Sequence, residues 1–187
     1  ATDLLQHRGP HDEAHYLSDS YAAGFRRLKI VDLSNRGRQP MRDESGRYWL
    51  VFNGGIYNHR ELRRDLEAQG RSFTTDSDSE VLLKSYMQWG SSCLERFNGM
   101  YAFLIWDAAS RELFGARDRF GEKPLFYVED RGRYYFASEI KALFPLLGRV
   151  PEWHRGTVRQ YLQHGHCDSG DETFFKGILS VPPASSV

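Results

Sequence analysis

Residues 52–62 have the sequence FNGGIYNHREL and begin where an apolar run, residues 48–52, ends. The apolar run predicts a β-strand, and the Asn-Gly-Gly at 53–55 predicts a tight turn directly after it. Glycine in such a turn lets the backbone approach a ligand closely. The carboxamide of Asn53 beside the bare N–H of Gly54 would then supply the two donors of an oxyanion hole. The alternative is an ordinary connection between two elements, which the Asn-Gly pair alone favours.

A helix is expected directly after this turn. Asn58 is a favourable N-cap residue, and Glu61 follows it three residues later, as in a capping box. Leu62 and Leu66 recur at helical spacing, and Gly70 is a typical residue at the end of a helix. The Asn-Gly pair is therefore predicted to lie at the mouth of a sheet, between a strand and a helix.

The composition of the chain excludes several classes of protein. Its 187 residues suit one domain, residues 1–187, with a real hydrophobic core. The 25 basic and 25 acidic residues balance without a basic block, so neither nucleic acid nor an anionic membrane is expected as a partner. No apolar run approaches membrane-spanning length, and no signal peptide opens the chain. Two cysteines do not make a disulfide framework, and a cytoplasmic location is expected.

In the rest of the chain, turn signals separate the expected strands and helices. A short strand is expected at 72–75, and the sequence DSDSE at 76–80 opens a helix with a capping box from Ser77 to Glu80. Further strands are expected at 100–107, 112–118, 124–129 and 133–137, and a further helix within 150–166. Successive strands of this kind form a mainly antiparallel meander, and outer helices then predict stacked sheets between helix layers.

Two groups of side chains could be considered as metal ligands: His7, His11 and His15, and His164, His166 and Cys167. Gly-Pro at 9–10 opposes the helix that would align the first group, and no further ligand pattern completes either set. We therefore expect no metal site. Cys93 has apolar neighbours and no cationic one, which predicts a buried core thiol rather than a nucleophile.

The string at 52–62 and several others together resemble the glutaminase domain of glutamine-hydrolysing asparagine synthetases, which are class II glutamine amidotransferases. The other strings are HRGP at 7–10, RLKIVDLS at 27–34, QPM at 39–41, DSDSE at 76–80, GMYAF at 99–103, IWD at 105–107, ARDRFGEKPL at 116–125 and FASEIKAL at 136–143. The matches follow the family's order and cover residues 7–183, which is far more specific than any single motif.

The resemblance implies a fold and a reaction. The fold is α+β, the four-layer α-β-β-α sandwich of mainly antiparallel sheets found in N-terminal-nucleophile hydrolases. The reaction is hydrolysis of the glutamine side-chain amide by a cysteine at the mature N-terminus, with its own α-amine as the base. Ammonia then passes to an ATP-using synthetase domain, where asparagine synthetase forms β-aspartyl-AMP.

The resemblance also implies roles for individual residues. In the family, the arginine that matches Arg27 grips the carboxylate of glutamine, a task that suits a guanidinium fork. The carboxylate that matches Asp78 pairs with the α-ammonium group, although a charge in the first turn of a helix also suits the helix dipole. Asn53 and Gly54 match the oxyanion hole. The implied glutamine-binding residues are Arg27, Leu28, Lys29, Ile30, Val31, Asn53, Gly54, Gly55 and Asp78.

The sequence departs from the family pattern in several places. Ala1 is the first residue, and the matches begin well past the family's nucleophile. We expect a preceding segment to carry the nucleophilic cysteine and the first strand of the sheet, and we expect residues 1–187 alone to be inactive. Gly55 stands where the family commonly has a glutamate that lines the glutamine pocket, and Ala184 replaces a turn glycine.

Three hypotheses about function follow. The first is the glutaminase half of an asparagine synthetase-like enzyme, with L-glutamine as substrate and a C-terminal synthetase domain as partner. ATP and Mg²⁺ would act in that other domain, this domain would need no cofactor, and a homodimer is left open. The second is a non-catalytic interaction module that supports a synthetase or cyclase domain. The third, an unrelated small-molecule or metal-binding domain, is made remote by the ordered series of matches.

Overall fold

The computed structural model describes residues 1–27, 37–165 and 170–187. The strands are β1 Asp12–Leu17, β2 Ala22–Arg27, β3 Met41–Arg42, β4 Tyr48–Ile56, β5 Gly99–Asp107, β6 Glu112–Arg117, β7 Phe126–Asp130, β8 Arg133–Ala137 and β9 Ile178–Ser180. The α-helices are α1 His59–Ala68, α2 Asp78–Trp89, α3 Phe144–Leu147 and α4 Arg155–His164. Short 3-10 helices span Thr2–Arg8, Gly90–Arg96 and Ile140–Ala142.

The strands pair in three antiparallel groups. These are the hairpin β1-β2, a central sheet in the order β3-β4-β5-β6, and a second sheet in the order β8-β7-β9. In the central sheet β4 and β5 pair along their whole lengths, from Tyr48 opposite Asp107 to Ile56 opposite Gly99. The antiparallel meander expected from the sequence is confirmed.

Side chains that alternate along β4 separate the two faces of the central sheet. Leu50 and Phe52 face helices α1 and α2 and pack in the largest core cluster, together with Leu62 and Leu66 of α1. Burying each of these side chains contributes about 1.5–3 kcal/mol before entropy is counted. The apolar positions that predicted α1 from the sequence are therefore the ones that fix it on the sheet.

The opposite face of the central sheet packs against the second sheet. Val51 and Leu104, which lie opposite each other on β4 and β5, share a cluster with Tyr127 and Phe136 of the second sheet. The hairpin β1-β2 covers the same face, where Tyr16 stacks on Trp49 with ring centroids 3.6 Å apart.

A third cluster lies on the outer side of the second sheet, where Val128 and Ile178 pack with Leu143 and Phe144. The layers therefore follow the order helix, sheet, sheet, helix. This is the α-β-β-α sandwich that the family resemblance implies.

The Asn-Gly-Gly turn expected at 53–55 was wrong, because β4 continues through these residues to Ile56. Gly54 has φ of 151°, and a Cβ built there would lie 2.1 Å from the Met100 carbonyl oxygen. A Cβ at Gly99 would lie 2.2 Å from the Gly55 carbonyl oxygen. These glycines let the two strands approach closely, so they extend the pairing and the chain turns only at 57–58.

Asn58 is the N-cap residue of α1, as expected, but the predicted capping box is absent. Its carboxamide instead donates to the Arg96 carbonyl at 2.9 Å and accepts from the Asn98 N–H at 2.9 Å. The side chain thus ties the start of α1 to the chain that enters β5. The expected helix end is confirmed, since Gly70, with φ of 84°, lies just beyond α1.

Helix α2 also lacks a complete capping box. Ser77 caps it with its side-chain oxygen, but Glu80 accepts hydrogen bonds from the N–H groups of Thr74 and Thr75 instead of Ser77. Glu80 thereby holds residues 72–75 as a loop, so the short strand expected there was wrong.

The histidines that the sequence grouped do not share a helical face. His7 contacts Glu139 from the helix Thr2–Arg8, whereas His15 contacts Thr2 from β1. Within residues 1–27, 37–165 and 170–187 no three His, Cys, Asp or Glu side chains are grouped to bind a metal ion. His166 and Cys167 lie outside the described residues. In the described chain, no helix combines the length and apolarity that a membrane crossing requires.

Candidate active site

The edge of β4 that faces away from β5 carries a row of backbone N–H groups. In an antiparallel pair the hydrogen bonds of successive residues point alternately to the two sides. On this edge the Phe52 N–H donates to Gln39 Oε1 at 2.5 Å, and the Ile56 N–H donates to Asp78 Oδ2 at 3.1 Å. The N–H of Gly54 points to the same edge, between these two bonds.

The Asn53 side chain leaves β4 immediately beside Gly54. Its Nδ2 atom is buried and has no hydrogen-bond acceptor among the described residues. A buried polar group without a partner costs about 1–3 kcal/mol, so folded proteins seldom retain one without a purpose. The Asn53 carboxamide and the Gly54 peptide are two N–H donors at adjacent positions, which is the chemistry of an oxyanion hole.

Asp78 lies close to these donors. It is the first residue of α2, its exposed fraction is 7%, and a Cβ at Gly55 would lie 3.9 Å from its Oδ2 atom. Burial raises the pKa of the Asp78 carboxyl, although the Ile56 N–H and nearby His59 oppose that rise. No lysine or arginine of the described chain forms an ion pair with it. A cationic group of a ligand would therefore find a buried carboxylate ready to pair with it.

Arg27 occupies the end of β2 and is also buried, with 8% of its surface exposed. It lies opposite Asp12 on β1 and lines a narrow recess together with Gln39 and Arg38. Gln39 lines this recess and also joins it to β4, because its side chain bonds to Phe52.

The structure thus brings Asn53, Gly54, Gly55 and Asp78 together, and it places Arg27 at the end of β2, in a recess that Gln39 also lines. The remaining four predicted glutamine-binding residues, Leu28, Lys29, Ile30 and Val31, lie outside the described residues.

Gln39 is the residue of this region for which no role was predicted. It belongs to the string QPM at 39–41, and its exposed fraction is only 7%. The signal available from the sequence was a polar residue directly before a proline, which predicts an extended backbone there but not its partners.

Cys93 takes no part in the site. It is fully buried in the core cluster of α1 and α2, and burial raises the pKa of its thiol to about 12. A thiol that cannot ionise near neutral pH is a poor nucleophile, so the predicted core thiol is confirmed. Cys167 lies outside the described residues.

Comparison with known proteins gives consistent matches. The pattern of the family described as glutamine amidotransferase domain matches residues 1–187. The chain is 43% identical over 159 residues to glutamine-hydrolyzing asparagine synthetase 1 of Bacillus subtilis (strain 168), which covers 85% of this chain and 25% of the relative. It is 37% identical over 188 residues to glutamine-hydrolyzing asparagine synthetase 3 of the same organism, which covers 100% and 30%.

A solved structure is also similar to this chain. The glutamine phosphoribosylpyrophosphate amidotransferase from B. subtilis, complexed with ADP and GMP, matches with a TM-score of 0.56 and 31% identity over 65% of this chain and 28% of that chain. The chain spans only 25% and 30% of the lengths of the two synthetases. The match over all 187 residues and the identities to these relatives show that the chain belongs to the glutamine amidotransferase domain family.

Proposed function

We propose that this domain hydrolyses the side-chain amide of L-glutamine to glutamate and ammonia. The observation that carries the proposal is the buried Asn53 Nδ2 atom, which has no acceptor in the described chain and lies beside the Gly54 N–H. Two such donors are most useful to a group that acquires negative charge during the reaction.

The carbonyl oxygen of an amide under attack by a thiolate is such a group. When sulfur adds to the amide carbon, the carbon–oxygen π electrons move to oxygen, and Asn53 Nδ2 and the Gly54 N–H would donate to the resulting oxyanion. The α-amine that took the thiol proton passes it to the amide nitrogen, the carbon–nitrogen bond breaks and ammonia leaves. Water then hydrolyses the thioester to glutamate and restores the thiol. Removing one donor of this kind typically costs about 2.7–4 kcal/mol of transition-state stabilisation. The family resemblance implies that an N-terminal cysteine supplies the thiolate.

The two ends of glutamine would be held by opposite charges. Asp78 is buried, has no lysine or arginine partner among the described residues, and would accept the α-ammonium group. Arg27 would bind the α-carboxylate through its guanidinium fork. The ammonium-binding role is the better supported of the two, because Asp78 lies beside Gly55 and Ile56.

The use of the ammonia is a further part of the proposal. The names of the two B. subtilis relatives favour asparagine synthesis as that use. The family resemblance implies that the synthesis is ATP-dependent and starts from aspartate. ATP and Mg²⁺ would act in a synthetase domain. A partner of this kind would fit the fraction of each relative that the chain covers.

The test is steady-state glutamine hydrolysis by the protein as its gene encodes it. Asn53→Ala should lower kcat about 100- to 1,000-fold and leave KM nearly unchanged, because the lost hydrogen bond strengthens only in the transition state. Asn98→Ala is the matched control, since Asn98 is exposed and its observed hydrogen bonds use backbone atoms. If Asn53→Ala retains kcat within a few-fold of the parent, Asn53 is not an oxyanion donor.

The same assay separates the non-catalytic alternative. A parent protein that forms its amide product from ammonia but releases no glutamate from glutamine would be a synthetase with an inactive glutaminase-like module. Glutamate release that depends on Asn53 would exclude that alternative.

A further inference from the structure

The side chain of Gln39 replaces a backbone group just before β3 begins. The pairing of β3 with β4 places Met41 opposite Leu50, and the same register continued by two residues places Gln39 opposite Phe52. β3 begins only at Met41, so the backbone of Gln39 does not continue the ladder opposite Phe52. The backbone groups of Phe52 would therefore lose their partners at this point.

The carboxamide of Gln39 supplies those partners. Its Oε1 atom accepts from the Phe52 N–H at 2.5 Å, and its Nε2 group donates to the Phe52 carbonyl oxygen at 3.2 Å. The same Nε2 group donates to Ser79 Oγ at 3.2 Å. The side chain thus imitates a peptide group toward β4 and adds a bond to α2.

Both attachment points of Gln39 adjoin residues of the candidate site. Phe52 directly precedes Asn53 on β4, and Ser79 directly follows Asp78 on α2. One buried side chain is therefore bonded to the sequence neighbour of the proposed oxyanion donor and to the sequence neighbour of the proposed ammonium-binding carboxylate.

We propose that Gln39 is a positioning residue that sets the relative placement of the oxyanion strand and the ammonium-binding helix. This inference rests on the proposed glutaminase function. Gln39 would not touch the reacting atoms, and it would act through Phe52 and Ser79. Because glutamine is gripped at one end while charge develops at the other, a shift between the two elements affects the amide carbon directly. A misplacement of about 1 Å can lower turnover on the order of 100-fold.

Three variants of the protein as its gene encodes it test this role. Gln39→Leu keeps the bulk but removes all three hydrogen bonds, and it should lower kcat for glutamine hydrolysis on the order of 10- to 100-fold and raise KM several-fold. Ser79→Ala removes only the bond to α2, so it should mainly raise KM by moving Asp78. Gln39→Glu keeps the acceptor for the Phe52 N–H and can donate only when its carboxyl is protonated. Its kcat should therefore recover toward the parent value as the pH falls.

Stability measurements separate positioning from a purely structural role. Kinetics are taken well below the thermal midpoint of each variant, where the protein is fully folded. A folded Gln39→Leu variant with kcat and KM within twofold of the parent would overturn the inference. So would a Gln39→Glu variant whose pH profile matches the parent's, and this test remains if Gln39→Leu does not fold.

The result also distinguishes this inference from the function on which it rests. If the parent hydrolyses glutamine and Asn53→Ala abolishes that activity while Gln39→Leu does not, only the positioning role fails. If the parent releases no glutamate at all, the proposed function fails and the positioning role fails with it.

Discussion

The Ile56 N–H donates a 3.1 Å hydrogen bond to the Asp78 carboxylate, and this bond joins the end of β4 to the first turn of α2. The carboxylate receives this bond in a buried position, where loss of hydration raises its pKa above the ordinary range. A buried charge with a raised pKa is unfavourable for the folded state. We infer that Asp78 serves ligand binding better than it serves stability.

We first predict that Asp78→Asn stabilises the protein at neutral pH. Asparagine keeps an oxygen that accepts from the Ile56 N–H but carries no charge. Because the pKa of Asp78 is raised on folding, its contribution to stability is complete at pH values below the pKa in the unfolded chain. That contribution is lost as the pH rises through the folded-state pKa.

Urea unfolding of parent and variant across acidic and neutral pH checks this prediction. The variant should be the more stable protein at pH 7, and the difference should shrink toward zero in acid. The same variant should raise KM for glutamine, since it removes the charge proposed to bind the ammonium group. The prediction would be contradicted if the variant's gain in unfolding free energy over the parent were smaller at pH 7 than in acid.

The second prediction concerns Gly55, where a side chain is tolerated. A Cβ there would meet only Tyr57 at 3.8 Å and Asp78 Oδ2 at 3.9 Å, which are ordinary contacts. Gly55→Glu should therefore fold and add a second carboxylate beside Asp78. We expect KM for glutamine to fall several-fold, because a charged hydrogen bond to the ammonium group contributes about 1.5–3 kcal/mol before desolvation is counted.

Gly55→Gln is the matched control for this prediction, because it has the same shape without the charge. Two neighbouring carboxylates oppose each other's ionisation, so the gain from glutamate should increase with pH while that from glutamine should not. Equal KM values for the two variants at all pH values would show that the effect is steric rather than electrostatic.

Local pattern predicted much of this fold, and the failures share one cause. The apolar run at 48–52 and the leucine spacing of α1 predicted the central strand and its covering helix. They could do so because burial on one face produces a periodic apolar pattern in the local sequence. The turn expected at 53–55 was wrong because Met100, far along the chain, approaches Gly54 and continues the ladder. The capping box of Asn58 was wrong because Arg96 and Asn98 take its carboxamide.

The candidate site shows the same division. The Asn-Gly pair suggested the donors Asn53 and Gly54, but only the family resemblance favoured that role over an ordinary connection. The resemblance also assigned Asp78, because these residues lie in short strings with a fixed residue order. Gln39 received no role, because its importance depends on a strand register and on Ser79, neither of which is visible in the string QPM. The role of such a residue depends on its tertiary contacts, which local sequence propensities do not reveal.

The third prediction is that Ser85→Ala stabilises the protein. Ser85 is completely buried in α2, and its hydroxyl has no hydrogen-bond partner in the described chain. Removing an unsatisfied hydroxyl should raise the free energy of unfolding by about 1 kcal/mol. Thr173→Val is the contrasting variant, since the Thr173 hydroxyl donates to the Ile178 carbonyl at 2.7 Å and its loss should destabilise. Chemical unfolding that ranks Ser85→Ala below the parent would show that the hydroxyl has a partner after all.

The last prediction is that Ala184→Gly stabilises the protein by relieving strain in the turn at 183–184. Ala184 has φ of 55°, a left-handed conformation that costs a non-glycine residue roughly 1–2 kcal/mol. Its N–H donates to the Asp118 carbonyl at 2.9 Å, so the turn is fixed by the fold and Ala184 cannot relax into another conformation. Glycine would remove the strain but would lose more conformational entropy on folding, about 0.5–1 kcal/mol. The net gain should therefore be about 0.5–1 kcal/mol in the free energy of unfolding.

Ala109→Gly is the matched control, because Ala109 is exposed in a turn and is not among the residues with positive φ, so glycine there should destabilise. Equal shifts for the two variants in urea unfolding would show that the backbone at Ala184 carries no strain.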